Sequence, residues 1–241
     1  MSIETITIII SFFGEAFGTI TGLGNATFFV PALSYFTDFS KVLGIVAFLH
    51  VFSNITRMTF FWKNISREVF IKFGISNIIF VSIGALFTRF ISANIIEMTL
   101  GILLILFSFY ELFFKHFKFP QSTGFEAVSG GVAGFLGGIA GTSGPFRSFV
   151  LINMGLSKEV YIATSVAVDF IGDVLRLFIY ISNGFVNQNT LALLPGVFIA
   201  SLIGAFVGKK MLETIPSKVF VKVVICTLLI LGVSLVTKNL K

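Results

Sequence analysis

The chain has 241 residues, 56% of them hydrophobic and 12% charged, where a soluble domain has roughly 25% charged residues. Its 32 phenylalanines and repeated apolar runs of about 20 residues make lipid the solvent and exclude a soluble globular domain. The net charge of +6 reads as basic loops on one side of a bilayer, so no nucleic-acid partner is expected.

The N-terminus, MSIETITIII, lacks the basic region of a cleaved signal peptide and reads as retained. A Gly-interrupted apolar stretch covers 3–37, with breaks at Gly22, Gly24 and Asn25. Three uninterrupted spans follow at about 42–62, 70–88 and 95–114. A second Gly-interrupted stretch covers 125–157, broken at Gly138, Gly141, Thr142, Ser143 and Gly144. Three more spans follow at about 160–182, 190–208 and 217–237. The spans should be helices, because lipid offers no partner to an unpaired backbone. Cys226 stands alone in the last span, which rules out a disulfide framework or a Cys-based metal site within one chain.

The order of elements repeats. AFLHVFSNITRMT (47–59) lies over VAVDFIGDVLRLF (166–178) at an offset of 119, which pairs His50 with Asp169, Asn54 with Asp173 and Arg57 with Arg176. GTITGLGNATFF (18–29) resembles GFLGGIAGTSGP (134–145), and SIGALFTRF (82–90) matches LIGAFVGKK (202–210). The common spacing predicts two membrane repeats, 1–118 and 119–241, forming one integral membrane domain.

Charge orients them. If each Gly-broken stretch crossed the bilayer, the basic loops 63–72 and 209–218 would fall on opposite sides. If each is re-entrant, loops 63–72, 115–126 and 209–218 all lie inside, as the positive-inside bias asks. Loops 89–94 and 183–189, with only Arg89 between them, then lie outside together with both termini. Lys238 and Lys241 at the C-terminus run against this pattern. Three crossings per half invert one repeat relative to the other. The expected fold is therefore an all-α integral membrane protein of two inverted repeats, each a re-entrant hairpin plus three transmembrane helices. Broken elements meeting near the bilayer midplane are the architecture of secondary transporters.

The half-helices after the breaks, 26–36 and 145–154, would present free N–H groups and a positive dipole end, which suits an anion. The competing reading is that the glycines permit close helix packing. On the first reading Gly24, Asn25 and Ala26 with Gly141, Thr142, Ser143, Gly144 and Arg147 line the substrate. The guanidinium of Arg147 suits oxyanions, although it could equally pair with Glu15 or an aspartate.

Charges inside spanning helices are costly, at about 2.5–3.5 kcal/mol each on insertion scales, and usually face an interior or a cavity. Asp169 and Asp173 share a helix face with Arg176, and His50 and Asn54 share one with Arg57. Two carboxylates a turn apart do not both ionise easily in low dielectric, so one carries a proton or the pair holds a cation; the competing reading is a structural pair satisfied by Arg176. Arg57 and Arg176 lie nearer the span ends, within snorkelling reach of the interface. Glu15, in the first Gly-broken stretch, is a second candidate carrier or a partner for a buried arginine. His50 is a further coupling candidate.

GTITGLGNATFFVPAL and GFLGGIAGTSGP, each a Gly-rich break followed by a proline, resemble the TauE/SafE sulfite-exporter-like transporters over nearly the whole chain. Gly24, Asn25 and Ala26 stand where members typically have a run of glycines. The resemblance implies a plasma-membrane, secondary-active transporter of a small anion, sulfite or an organosulfonate, coupled to a proton or sodium gradient. No G-x-x-x-x-G-K-[ST] phosphate loop is present, and no cofactor is expected. A homodimer is compatible with such a chain. GTSG (141–144) also resembles the G-x-S-G nucleophile of rhomboid proteases, but no histidine follows Ser143 and His116 precedes it. A cation transporter or channel built on Asp169 and Asp173 is the alternative.

Overall fold

The structure is a computed structural model that describes residues 2–21, 24–113, 119–120, 122–214 and 217–240. Among these residues the chain is helical and has no strand. The first half contributes α1 (Ile3–Thr21), α2 (Ala26–Leu33), α3 (Phe39–Phe61), α4 (Arg67–Val69), α5 (Ile75–Phe87) and α6 (Ala93–Phe113). The second contributes α7 (Thr123–Ala140), α8 (Gly144–Asn153), α9 (Lys158–Ser182), α10 (Gln188–Thr214) and α11 (Ser217–Asn239). A π-helical stretch, Phe70–Gly74, joins α4 to α5, so that Arg67–Phe90 is one continuous span.

The helices outrun the apolar runs. α10 carries Lys209 and Lys210 and ends only at Thr214, and the basic segment 63–72 is largely helical turns. Lys and Arg are good helix formers, so a positive charge marks the membrane edge without ending the helix. Among the described residues five stretches are long and apolar enough to cross a bilayer: Ile3–Ile20, Phe39–Thr59, Arg67–Phe90, Ala93–Tyr110 and Thr190–Met211. α9 has the length, but every 18-residue stretch of it holds at least three charged residues, Asp169 and Asp173 always among them. Large apolar side chains including Phe90, Phe178 and Phe206 are exposed, as a lipid-facing surface requires.

Small residues let the helices approach closely. Gly196, Gly204 and Gly208 of α10 meet Ile8, Phe12 and Ala16 of α1, so these two helices run parallel. Gly130, Gly134 and Gly138 of α7 meet Phe73, Asn77 and Val81 in the same way, so α7 runs parallel to α5. α3 and α9 are antiparallel: Gly44 abuts Phe185, and the Ser66 amide donates to Thr164 Oγ1 at 2.9 Å. α6 and α11 cross antiparallel at Gly101 and Gly232.

α2 doubles back along α1, with Asn25 beside Gly18 and Phe29 beside Gly14. Its far end joins the end of α11 and the start of α6, where Lys238 Nζ donates to Ser34 O at 2.8 Å and to Glu97 Oε2 at 2.7 Å. α8 ends beside the other end of α6, where Tyr110 donates to Asn153 Oδ1 at 3.1 Å. The main apolar core packs around α2 and α3, with Phe29, Val30, Leu33, Leu43, Val46 and Leu49 fully enclosed.

Candidate functional site

Both breaks turn on a glycine with a left-handed backbone, Gly24 (φ 87°) and Gly141 (φ 76°), a conformation that costs a residue with a Cβ. Gly141 caps α7, and its N–H bonds to Gly137 O at 3.0 Å. α8 then opens with Gly144 and Pro145, where a missing N–H costs nothing. The breaks meet through the hydroxyls of Thr27 and Thr142, 3.2 Å apart.

A small cavity of about 20 Å³ lies where they meet, with room for about one water-sized body. Gly24 and Asn25 line it from the first break, and Thr142, Ser143, Gly144 and Arg147 from the second. His50, Ser53, Asn54 and Arg57 of α3 face Asp169, Gly172, Asp173 and Arg176 of α9 across it. The lining thus has three guanidiniums against two carboxylates.

Three buried ion-pair systems organise these charges. Glu15, 2% exposed, lies just behind the lining. It accepts from Asn25 Nδ2 at 2.5 Å, from Ser53 Oγ at 2.8 Å and from Arg57 Nη2 at 2.8 Å, which fastens the first break to α3. Arg147 donates to Asp169 and, at 3.1 Å, to Ser143 Oγ. That arrangement gives Ser143 no base.

The third system centres on Asp173, which accepts from Asn54 Nδ2 at 2.8 Å and lies 2.8 Å from Arg176 Nη2. Arg176 also donates through Nη1 to Gly137 O at 2.9 Å. Tyr180 and Thr88 donate to Gly138 O at 2.5 and 2.9 Å. Together these side chains satisfy the carbonyls that end α7, where a cation also complements the helix dipole.

Several expectations are corrected here. Arg176 does not snorkel. It is 1% exposed, because Gly137 O, Asp173 and His50 supply its partners inside the bundle. Asp169 and Asp173 do not share a single neutralising group, since each has its own guanidinium. Of the two partners open to Arg147, the structure selects Asp169, while Glu15 takes Arg57. Ala26 begins α2 fully buried and does not line the cavity, nor does Gly141, whose α-carbon faces Leu43 and Val46. Gly138 is a packing residue against Val81 and Ala85. Gly22 and His116 lie outside the described residues.

Sequence reasoning did not single out Ser53, Asn77, Gly137 or Gly172 as lining residues. Ser53 was within reach of it, being three residues beyond His50 and so on the same helix face. Asn77 is a lone amide in an apolar span and donates to Gly130 O at 3.2 Å.

Asn25 Oδ1, His50 Nε2, Arg147 Nε and Arg176 Nε are buried and have no hydrogen-bond partner among the described residues. All four belong to lining residues. Among the described residues no group of three or more His, Cys, Asp or Glu could hold a metal ion.

A family model described as the sulfite exporter TauE/SafE matches residues 7–235. No curated protein and no solved structure gives a significant match.

Proposed function

This chain belongs to the TauE/SafE sulfite exporter family, and from that premise we propose that it is a secondary-active transporter of a small oxyanion in the plasma membrane. The family is one of multi-pass membrane anion exporters. The finer reading is that Arg147 holds the anion, sulfite or an organosulfonate, in exchange for Asp169. One observation carries it: Arg147 is buried in the first turn of α8, directly after the break, and bound to a carboxylate in the middle of the bundle. A substrate oxyanion presents the same acceptor geometry to the guanidinium fork. Asp169 would then reclaim Arg147 when the anion leaves, keeping the empty site neutral. The cation alternative has less support, since a guanidinium already compensates each aspartate.

We further propose that residues 1–118 and 119–241 are inverted repeats, with α1–α2 and α7–α8 as re-entrant hairpins. The folding back of α2 along α1 supports this. So does the placement of the first hairpin's end beside the start of α6 and of the second's beside its finish. α1 has the length of a full span, but the chain returns through α2 to the side it came from. Three crossings between the hairpins turn the second half over.

The test is uptake and efflux of radiolabelled sulfite, sulfate and organosulfonates in proteoliposomes under imposed proton and sodium gradients. Flux of at least one of these anions is expected. Movement of a divalent cation with no anion flux would replace this reading with the cation one.

A further inference from the structure

We propose that His50 carries the coupled proton, and that the proton enters and leaves at its Nδ1. This rests on the anion-transport reading above and deepens it by naming the coupling ion and its carrier.

His50 Nδ1 lies 2.7 Å from Arg176 Nη2 and 3.3 Å from Asp173 Oδ2. A guanidinium only donates and a carboxylate only accepts. One nitrogen cannot serve both neighbours at once. Without a proton, Nδ1 accepts from Arg176. With a proton, it donates to Asp173. The shorter contact is to Arg176, which fits a neutral ring with its hydrogen on Nε2. Nε2 is itself buried and has no partner among the described residues.

A proton added at Nδ1 ends the bond from Arg176 and sets an imidazolium against a guanidinium. The ring then turns its N–H to Asp173. Arg176 must shift, and its other nitrogen holds Gly137 O, in the last turn of α7 just before the second break. Protonation at His50 therefore reaches the anion site through one side chain. The N–H bond forms as an O–H bond of a hydronium ion breaks, and the reverse step returns the proton to water.

The surroundings leave His50 as the group free to change. From α9 it is faced by Asp169, Asp173 and Arg176, and α8 adds Arg147 to the cavity. α1 contributes Glu15, which is occupied by Arg57 on α3 itself. α10 is uncharged from Gln188 to Gly208, and α2 is uncharged throughout. Neither aspartate needs a proton to be neutralised, because each holds a guanidinium.

The chain has 2 histidines, so H116Q leaves His50 alone. In that variant, labelled with ¹⁵N-histidine and reconstituted in lipid nanodiscs, nuclear magnetic resonance should find the neutral ring with hydrogen on Nε2. Lowering the pH should add a second N–H, and sulfite should shift that transition. In proteoliposomes, H50Q should lose sulfite accumulation driven by a proton gradient. A neutral ring with hydrogen on Nδ1, a ring that gains no second N–H before the protein unfolds, or gradient-driven accumulation by H50Q overturns the proposal. Wild-type sulfite accumulation that ignores the proton gradient overturns it too and leaves the anion reading standing. Absence of any anion exchange by the wild type removes both.

Discussion

Replacing Asp169 with asparagine keeps the size of the side chain and removes the charge that Arg147 pairs with. Taking away one partner of a buried ion pair costs about 3–5 kcal/mol, because the other charge is left uncompensated. The Arg147 side chain is 5% exposed but that of Asp169 is 20% exposed, and Arg147 keeps its bond to Ser143. These features put the cost at the lower end, about 3 kcal/mol. For a chain of this size that corresponds to a melting temperature lower by roughly 6–12 °C. An anion bound in place of the lost carboxylate returns about 2.7 kcal/mol at a concentration one hundred times its Kd. D169N in detergent should therefore melt well below the wild type and recover most of the difference when sulfite is added. Its transport should be lost, since nothing displaces the anion, while membrane insertion is unaffected. Thermal unfolding with and without sulfite, on D169N and on D169N/R147Q, measures this. The reasoning is refuted if D169N melts with the wild type, or if sulfite stabilises the double variant equally, because the anion would then sit elsewhere.

Two further outcomes follow from the packing. With Cys226 replaced by serine, single cysteines at Asn187 and Lys210 should react with impermeant reagents from opposite faces, Asn187 from outside; labelling of Lys63 and Lys210 positions from different faces would contradict the inversion. Gly138→Leu should cost at least the 1–3 kcal/mol of overpacking, since even a Cβ there falls on Val81 O and Ala85 N, whereas Gly124→Ala, with nothing within 4 Å, should be neutral; comparable melting curves for the two variants would mean that α5 and α7 are not in contact.

The helical class, the order of the elements and the position of the breaks were legible because lipid punishes any departure from helix and any stray charge. Asp169, Asp173 and Arg176 announced themselves for that reason. The partner of Asp173 was within reach, since Arg176 stands three residues on, but those of Asp169 and Glu15 were left open. Arg147 and Asp169 are 22 residues apart, and Glu15 and Arg57 are 42 apart, so the pairing depends on how α8 and α2 fold back. Reading Asp169 and Asp173 as two carboxylates in competition followed from their spacing alone; the fold supplies each with a guanidinium from a different direction. Ser53 and Asn77 passed unnoticed because an uncharged polar residue in a membrane helix serves packing as readily as binding.

α1 is synthesised long before the helix it lies along, since α10 begins only at Gln188. At 5–20 residues per second that is a delay of roughly ten to thirty seconds. During this time α1 sits in the bilayer with one flank open, tethered by Glu15 to α3 once Arg57 has emerged. α7 has the opposite experience, since α5 is already in place when α7 is made. The two pairs look alike in the finished protein but are assembled in reverse temporal order. A nascent chain stalled before Gln188 offers the cell's quality control an α1 without its α10 neighbour, while one stalled after Ala140 already holds its α5–α7 pair.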